Sequence, residues 1–151
     1  DVYKRQGLVL GARGPYGILV RDRDSALNQW FVNTYKNLYG TYPSGPAYQY
    51  GQAILATKIA YDKAGSGATD EQLAAALKGI TFESFSTTVE MALGNGHQAV
   101  TENGYGITKY DEANGENVVT DVKFYPGSCI MPPKGANSVD WIKGGMQGAK
   151  C

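Results

Sequence analysis

The chain has 151 residues, with 14 basic and 14 acidic side chains, one histidine and two cysteines. Its length suits one domain with a buried core, and 42% hydrophobic residues with 20 glycines indicate a globular protein rather than a disordered one. Zero net charge without a basic cluster argues against a nucleic acid partner or a basic membrane-surface helix, and no apolar run is long enough to span a bilayer.

The chain starts with DVYKRQ, which resembles the translation of a transposase adapter used in DNA library preparation. We therefore expect residues 1–6 to be a sequencing-adapter scar and leave them out of the fold; the alternative is a native segment that leads into the first strand. Residues 7–11 are apolar and predict a buried strand. Because a strand follows the scar directly, we expect the native protein to continue upstream, so that this chain is a C-terminal fragment.

Three helices are predicted after a turn-rich loop at 12–17. The first starts at an Asp24 or Ser25 cap and ends at Gly40, with a predicted buried face of Leu27, Trp30, Phe31, Thr34, Tyr35 and Leu38. The stiff segment 42–46 separates it from a second helix over about 46–64, whose apolar residues on several sides predict burial within layers. A capping box at 69–72 starts the third helix, which closes at Gly79.

From Phe82 onward the pattern changes to strands and turns. Residues 87–91 are rich in β-formers, and a glycine loop follows at 94–98. The segments 105–110 and 118–125 flank Asn114-Gly115, which is a strong hairpin signal. A short last helix is predicted from Ser138 to about Met146. Strand, three helices and hairpin together predict an α/β protein.

The cysteines lie late in the chain, as Cys129 and the terminal Cys151. Because their spacing is not that of a metal site, we expect a disulfide that closes the tail. Such a loop is worth roughly 3 kcal/mol on the chain-entropy estimate. A disulfide implies an oxidising compartment; the alternative is two unrelated buried thiols.

No catalytic motif is present in the sequence. His97 lies in a glycine loop without a zinc or triad context, and the glycines near residue 11 lack the full dinucleotide fingerprint. We therefore predict no catalytic residue, no metal site and no cofactor. Tyrosines near turns suit small-molecule clefts, although core packing explains most of them. Of these, Tyr48 and Tyr50 beside the stiff segment are the preferred binding candidates.

Several stretches, in this order and spacing, resemble one family of binding proteins. They are NQWFVNTYKNLYG at 28–40, PSGP at 43–46, the helix 53–63 with the following AGS, the segment from Leu73 to Phe82, GHQ at 96–98 and the closing PPKG…DWIKG. The chain resembles the C-terminal part of type I periplasmic solute-binding proteins of the branched-chain amino-acid (Leu/Ile/Val) class over about residues 7–151. In the GHQ loop, Gly96 replaces the acid of the family.

The resemblance implies two α/β lobes that close over a ligand and are joined by three crossings. Residues 7–40 would belong to the second lobe, residues 41–102 would form a hinge crossing and helices that pack on the first lobe, and residues 103–151 would return to the second lobe. It further implies a non-enzymatic periplasmic protein, exported by a signal peptide missing here. That protein delivers an amino acid or similar small solute to an ABC permease in the inner membrane.

The family's binding positions carry over in part. The acid that grips the ligand ammonium falls at Gln6, inside the suspected scar, next to Gly7 at the strand start. Ala47 stands where Leu/Ile/Val binders have an aromatic residue, so a branched-chain ligand is in doubt and Tyr48 or Tyr50 would fill the space. We therefore expect Gly7, Ala47, Tyr48 and Tyr50 to contribute to ligand binding.

Two other functions are compatible with the sequence. The first is a ligand-sensing regulator on the same fold, such as a cytoplasmic amide sensor, for which free thiols would be expected. The second is a small α/β enzyme that is complete in 151 residues.

Overall fold

The strands of the computed structural model, which describes residues 6–11, 14–133 and 135–149, form two three-stranded antiparallel sheets. In chain order the elements are β1 (Val9–Gly11), α1 (Ala26–Tyr39), α2 (Gly45–Ala64), α3 (Asp70–Leu77), β2 (Thr81–Glu83), β3 (Thr88–Leu93), β4 (Gln98–Val100), β5 (Asn103–Asp111), β6 (Glu116–Tyr125) and α4 (Ser138–Lys143). Sheet A has the order β1-β5-β6 and sheet B the order β2-β3-β4. The α/β class predicted from the sequence is confirmed.

Most helix ends follow the predicted capping residues; the exception is α3, which ends at Leu77 with Lys78 as its cap instead of at Gly79. The Ser25 hydroxyl accepts from the Asn28 amide at 3.3 Å, and α1 ends at Gly40, whose φ of 70° is left-handed. Both hydrogen bonds of the Thr69–Gln72 capping box are present at α3. The second helix begins at Gly45, one residue before the predicted start. These ends could be predicted because a cap is satisfied by residues three or four positions away.

The core lies between α1, α2 and the loop that joins β2 to β3. Its centre is a cluster of Val20, Val32, Tyr48 and Phe85, against which Leu27 and Phe31 pack. The Phe31 and Phe85 rings stack with centroids 4.4 Å apart, and the Phe31 and Tyr48 rings meet edge to face at 4.9 Å. Gly51 of α2 makes room for this stack, because a Cβ there would come within 2.9 Å of the Phe85 ring.

The burial predicted for the first strand and for the first two helices is partly wrong. The strand β1 is an edge of sheet A, where Val9 is 72% exposed. Trp30 is 58% exposed and Leu38 71% exposed, while α1 buries Asn28 and Val32 instead. The buried face of α1 differs from the predicted one because it includes Asn28, whose Nδ2 donates to the backbone carbonyls of Val20 and Arg23. Tyr50 and Ile54 of α2 are also exposed, so this helix packs on one side rather than on several.

The hairpin of sheet A is confirmed, and its turn spans residues 112–115 because Asp111 pairs with Glu116. Gly115 has a φ of 68° in this turn. A β-bulge interrupts the pairing where Asp121 adopts a φ of 53°, so that β6 carries one extra residue. The last helix ends at Lys143, three residues earlier than predicted, because Gly144 terminates it.

Three segments connect sheet A to the rest of the chain, and they meet at one place. Residues 14–25 lead to α1, residues 101–102 join β4 to β5, and residues from 126 onward leave β6 and return to sheet B. The Tyr16 side chain hydrogen-bonds Thr101, and a Cβ on Gly127 would come within 2.8 Å of the Thr101 carbonyl oxygen. We call the contact of Tyr16, Thr101 and Gly127 the junction.

Candidate functional site

A cavity of about 260 Å³ lies where the start of β6 faces the N-terminus of α2. Its lining comes from three parts of the chain: the 3₁₀ turn at Gly17–Leu19 with Arg21, the segment 42–45 with Tyr48, and Glu116 with Asn117. The turn approaches α2 closely, since a Cβ on Gly17 would lie 3.5 Å from the Gly45 nitrogen. Gly17 also has a φ of 60°, which favours glycine.

Arg21 carries the positive charge of this cavity. Its Nη2 lies 3.1 Å from an Asp22 carboxylate oxygen, and its Nη1 lies 3.3 Å from Glu116 Oε2. Burial lowers the pKa of Arg21, but the hydrogen bond to Asp22 and the charges of Asp22 and Glu116 outweigh burial and raise that pKa above its ordinary value. The guanidinium therefore stays charged across the range of pH in which proteins fold.

Tyr42 forms an aromatic wall between two cations. The Arg21 guanidinium carbon lies 4.8 Å from its ring centroid, and the Lys36 Nζ lies 4.2 Å from the same centroid. Lys36 also donates to the Tyr42 hydroxyl at 2.9 Å. Tyr42 therefore lines the cavity as a ring that both cations contact.

Tyr48 is fully buried beneath the cavity. Its hydroxyl donates to Asn28 Oδ1 at 2.9 Å, and Asn28 Nδ2 in turn donates to the Val20 carbonyl at 2.7 Å. Burial, with a smaller contribution from Asp22, raises the pKa of Tyr48 well above its ordinary value. Tyr48 thus joins the floor of the cavity to the core.

The four residues predicted to bind ligand do not lie together. Among them Tyr48 lines the cavity, whereas Ala47 is half-buried in the first turn of α2 and Tyr50 is 74% exposed. Gly7 is exposed at the edge of sheet A, where its N–H donates to the Thr108 carbonyl at 2.8 Å. A joint role for these four residues stays a prediction.

Sequence reasoning missed two of the three residues that give the cavity its chemistry, and it counted the third, Tyr42, among the tyrosines near turns without preferring it. Arg21, Tyr42 and Glu116 come from segments far apart in the sequence, and no motif connects them. The signal that was available for Tyr42 was its place in the stiff segment before α2. For the other two, the cluster RDRD at 21–24 and the acid after Asn114-Gly115 could have been noted.

A second, larger cavity of about 630 Å³ lies beside the junction, between sheet B and the residues after β6. Arg23 crosses it: Nη1 donates to the Ser86 carbonyl at 2.6 Å and to Glu102, and the guanidinium lies 4.5 Å from the Phe124 ring centroid. Gln52 Nε2 donates to the buried Ser84 hydroxyl at 2.7 Å beneath it. Arg23 and Gln52 thus have hydrogen-bond partners in the wall of this cavity, as Arg21 has in the smaller one.

The remaining chemical candidates lie outside both cavities. His97 is exposed in the glycine loop, and within the described ranges no group of histidine, cysteine or acidic side chains could hold a metal ion. Cys129 is buried, whereas Cys151 lies outside the described residues, so the disulfide stays a prediction. None of the helices in the described part of the chain is long and apolar enough to cross a membrane.

Solved structures with the same architecture are solute-binding proteins. The chain superimposes on an ABC-type branched-chain amino acid transporter protein from Rhodopseudomonas palustris with a TM-score of 0.65 at 22% identity, over 80% of this chain and 31% of that one. A solute-binding protein of an ABC transporter from the same species, in complex with 3,4-dihydroxybenzoic acid, gives 0.63 at 25% identity over the same shares. The chain carries part of the type I periplasmic binding protein fold.

A leucine-binding protein from Thermotoga maritima also carries this fold, with a TM-score of 0.57 at 20% identity over 78% of this chain and 31% of that one. The fold named by the resemblance is therefore confirmed. The chain spans about a third of the length of these binding proteins. Its sequence matches no protein-family model and none of the curated proteins.

Proposed function

We propose that the chain is part of the substrate-binding component of an ABC uptake transporter, which captures a small organic solute in the cleft between its lobes. The observation that carries the proposal is the agreement between a solute-binding fold and a cavity with Arg21, Tyr42 and Glu116 on its walls. Ligand pockets combine an apolar wall with a few placed polar groups, as this cavity does. The protein binds its solute without a chemical reaction.

The junction suits a hinge between the lobes. Three connections that meet at Tyr16, Thr101 and Gly127 let the hairpin of sheet A move against the helices, whose core lies between α1, α2 and the loop from β2 to β3. A solute that contacts both sides then stabilises the closed form, and an ABC permease in the inner membrane recognises that form. The family resemblance divides the lobes at residues 7–40, 41–102 and 103–151. The hinge proposed here differs in one respect: it leaves α1 on the side of α2, because the two helices share one core. We propose that the protein works in the periplasm after export.

The solute class follows from the neighbours and from the charges of the cavity. The neighbours are named for leucine or branched-chain amino acids, or were solved with 3,4-dihydroxybenzoic acid, and all of these compounds carry a carboxylate. Arg21 is the cationic side chain of the lining. A ligand carboxylate would meet its Nη1 edge, because Nε and Nη2 bond the Asp22 carboxylate. An amino acid or a related organic acid is the solute we propose.

A thermal-shift panel tests the proposed function. The full-length protein that contains this chain is melted with L-leucine, L-phenylalanine, 3,4-dihydroxybenzoate and, as a control without a carboxylate, glucose. A ligand at 100 times its Kd stabilises the folded state by about 2.7 kcal/mol, which raises Tm by several degrees. We expect such a shift for at least one carboxylate and none for glucose. Equal melting temperatures throughout would overturn the proposal.

A further inference from the structure

The sequence contains three Asn-Gly dipeptides, and the structure places them in different surroundings. They are Asn95-Gly96 in the glycine loop after β3, Asn103-Gly104 at the start of β5 and Asn114-Gly115 in the turn of the sheet A hairpin. An asparagine deamidates most readily before a glycine, because glycine has no Cβ to keep its backbone nitrogen away from the asparagine side chain. The three dipeptides share this intrinsic reactivity and differ in what the fold permits.

Deamidation requires the glycine to move. Its backbone nitrogen attacks the asparagine Cγ, so that the N–Cγ bond forms, the Cγ–Nδ2 bond breaks and the glycine N–H proton leaves with ammonia. The product is a five-membered succinimide, which water opens to aspartate or isoaspartate. The peptide between the two residues must rotate before the nitrogen can reach Cγ. A glycine that is buried or paired in a strand is therefore protected until that part of the fold opens.

The dipeptide at the start of β5 is protected in this way. Asn103 is only 4% exposed, and the ladder pairs it with Tyr125 and pairs Gly104 with Phe124. A Cβ on Gly104 would lie 2.9 Å from the Phe124 ring, so the glycine is packed as well as paired. Rotation of this peptide requires sheet A to open, which costs far more free energy than the opening of a loop.

The dipeptide in the glycine loop is exposed at its first residue and fixed at its second. Asn95 is exposed, but Gly96 is buried and its carbonyl accepts from the Gly79 nitrogen at 3.0 Å. A Cβ on Gly96 would lie 2.8 Å from that nitrogen. The Asn95-Gly96 peptide therefore rotates only after the contact with the segment that follows α3 has been broken.

The hairpin turn holds its dipeptide less tightly. Asn114 and Gly115 are both exposed, and a Cβ on Gly115 would meet only the Tyr110 hydroxyl, at 3.9 Å. The Gly115 nitrogen donates to the Asp111 carbonyl at 2.8 Å, and Asn114 Nδ2 donates to Asp111 Oδ2 at 2.8 Å. Both hydrogen bonds end on one residue. Local opening of this turn thus frees the attacking nitrogen and the side chain that it attacks.

We propose that Asn114 is the site at which the folded protein deamidates spontaneously, through a succinimide with Gly115, to aspartate or isoaspartate. This inference is independent of the proposed solute-binding function. The reaction replaces an amide donor with a carboxylate, which can only accept. The new carboxylate then lies beside Asp111 and next to the exposed Glu112, so the hydrogen bond to Asp111 is replaced by repulsion between like charges. Deamidation therefore loosens the turn of the hairpin.

The experiment follows the three asparagines separately. The full-length protein that contains this chain is kept in warm, mildly alkaline buffer, and samples are digested at acidic pH and mapped by mass spectrometry. Each conversion of an amide to a carboxylate adds about one dalton, and isoaspartyl peptides elute apart from aspartyl ones. A parallel incubation in concentrated urea gives the rates without the fold. Asn114→Gln is the control, because a glutamine at this place would have to form a larger ring and reacts much more slowly.

We expect Asn114 to convert in the folded protein at least ten times faster than Asn103 and several times faster than Asn95. In urea the three rates should agree within about threefold, because the fold no longer protects two of them. Asn114→Gln should abolish the fast conversion and leave the other two rates unchanged. Asn114→Asp, which carries one of the two products, should lower the urea midpoint, whereas Asn95→Asp, the same change at another exposed asparagine, should lower it less.

Two results would overturn the inference. If Asn114 in the folded protein converts no faster than Asn103, or if Asn95 converts fastest, the hairpin turn is not the site. If the urea midpoint of Asn114→Asp equals that of the parent, the new carboxylate does not loosen the turn, and that part of the inference is wrong.

Discussion

A buried hydrogen bond between two polar side chains ties the core to the candidate site. Tyr48 is the largest fully buried side chain, and its hydroxyl donates to Asn28, which is itself fully buried. Asn28 then donates to backbone carbonyls of the segment that leads to Arg21. One tyrosine in α2 therefore fixes the conformation of the loop that carries the cavity's positive charge.

We predict that Tyr48→Phe destabilises the chain by about 1–3 kcal/mol, because the buried Asn28 oxygen loses its donor. Tyr50→Phe is the matched control: it removes a hydroxyl from the same helix at a position that is 74% exposed, and it should cost almost nothing. Urea denaturation of the parent chain and both variants gives the comparison. Equal midpoints for Tyr48→Phe and the parent would show that the bond contributes nothing.

At the scale of elements, the sequence predicted what is decided locally. The caps at Ser25 and Thr69, the stop at Gly40 and the hairpin around Asn114-Gly115 all depend on residues within one turn, and all are present. Pairings between distant residues could not be predicted. The bond between the Leu8 amide and the Thr108 hydroxyl joins residues 100 positions apart, and periodicity carries no information about it.

The candidate site shows the same limit. The sequence predicts Tyr48 as a site residue because it stands beside a stiff segment. It does not predict that Tyr48 is buried, since an aromatic residue near a turn fits a core and a cleft equally well. Arg21 and Glu116 lie 95 positions apart in the sequence, in segments that the folded chain brings within 3.3 Å. A charge pair of this kind becomes visible only in three dimensions.

The segment after β6 depends on a glycine where it passes the junction. A Cβ on Gly127 would lie 2.3 Å from Val100 Cγ1 and 2.8 Å from the Thr101 carbonyl oxygen, so the backbone itself is in the way. We predict that Gly127→Ala destabilises the chain by about 1–3 kcal/mol through overpacking.

Gly67→Ala is the control for this substitution, because a Cβ at Gly67 meets nothing within 4 Å. It should leave stability within about 0.5 kcal/mol of the parent. Both variants are compared by urea denaturation, and limited proteolysis reports on the residues after β6. If Gly127→Ala and Gly67→Ala have the same urea midpoint, the close approach of Gly127 to Thr101 does not constrain the chain.

At the scale of the whole molecule, a large share of the apolar side chains faces outward. Tyr50, Ile54 and Tyr61 form a stripe along α2 at helical spacing, and each is more than 40% exposed. Leu8 and Val9 are exposed at the edge strand β1, where unpaired backbone groups are also available. Contiguous apolar surface of this kind marks a face that another surface covers.

We predict that the chain associates with itself in solution, because burying the α2 stripe and the β1 edge removes apolar area from water. Light scattering after size exclusion at about 100 μM should show species larger than a monomer. The double variant Tyr50→Gln, Ile54→Lys should weaken association at least tenfold, whereas Ala53→Lys, a charge added at an exposed position between them, should have a smaller effect. A monodisperse monomer that melts cooperatively would contradict the prediction. If the double variant associates as strongly as the parent, β1 rather than α2 forms the contact, and Val9→Lys at the exposed edge should then dissociate the complex.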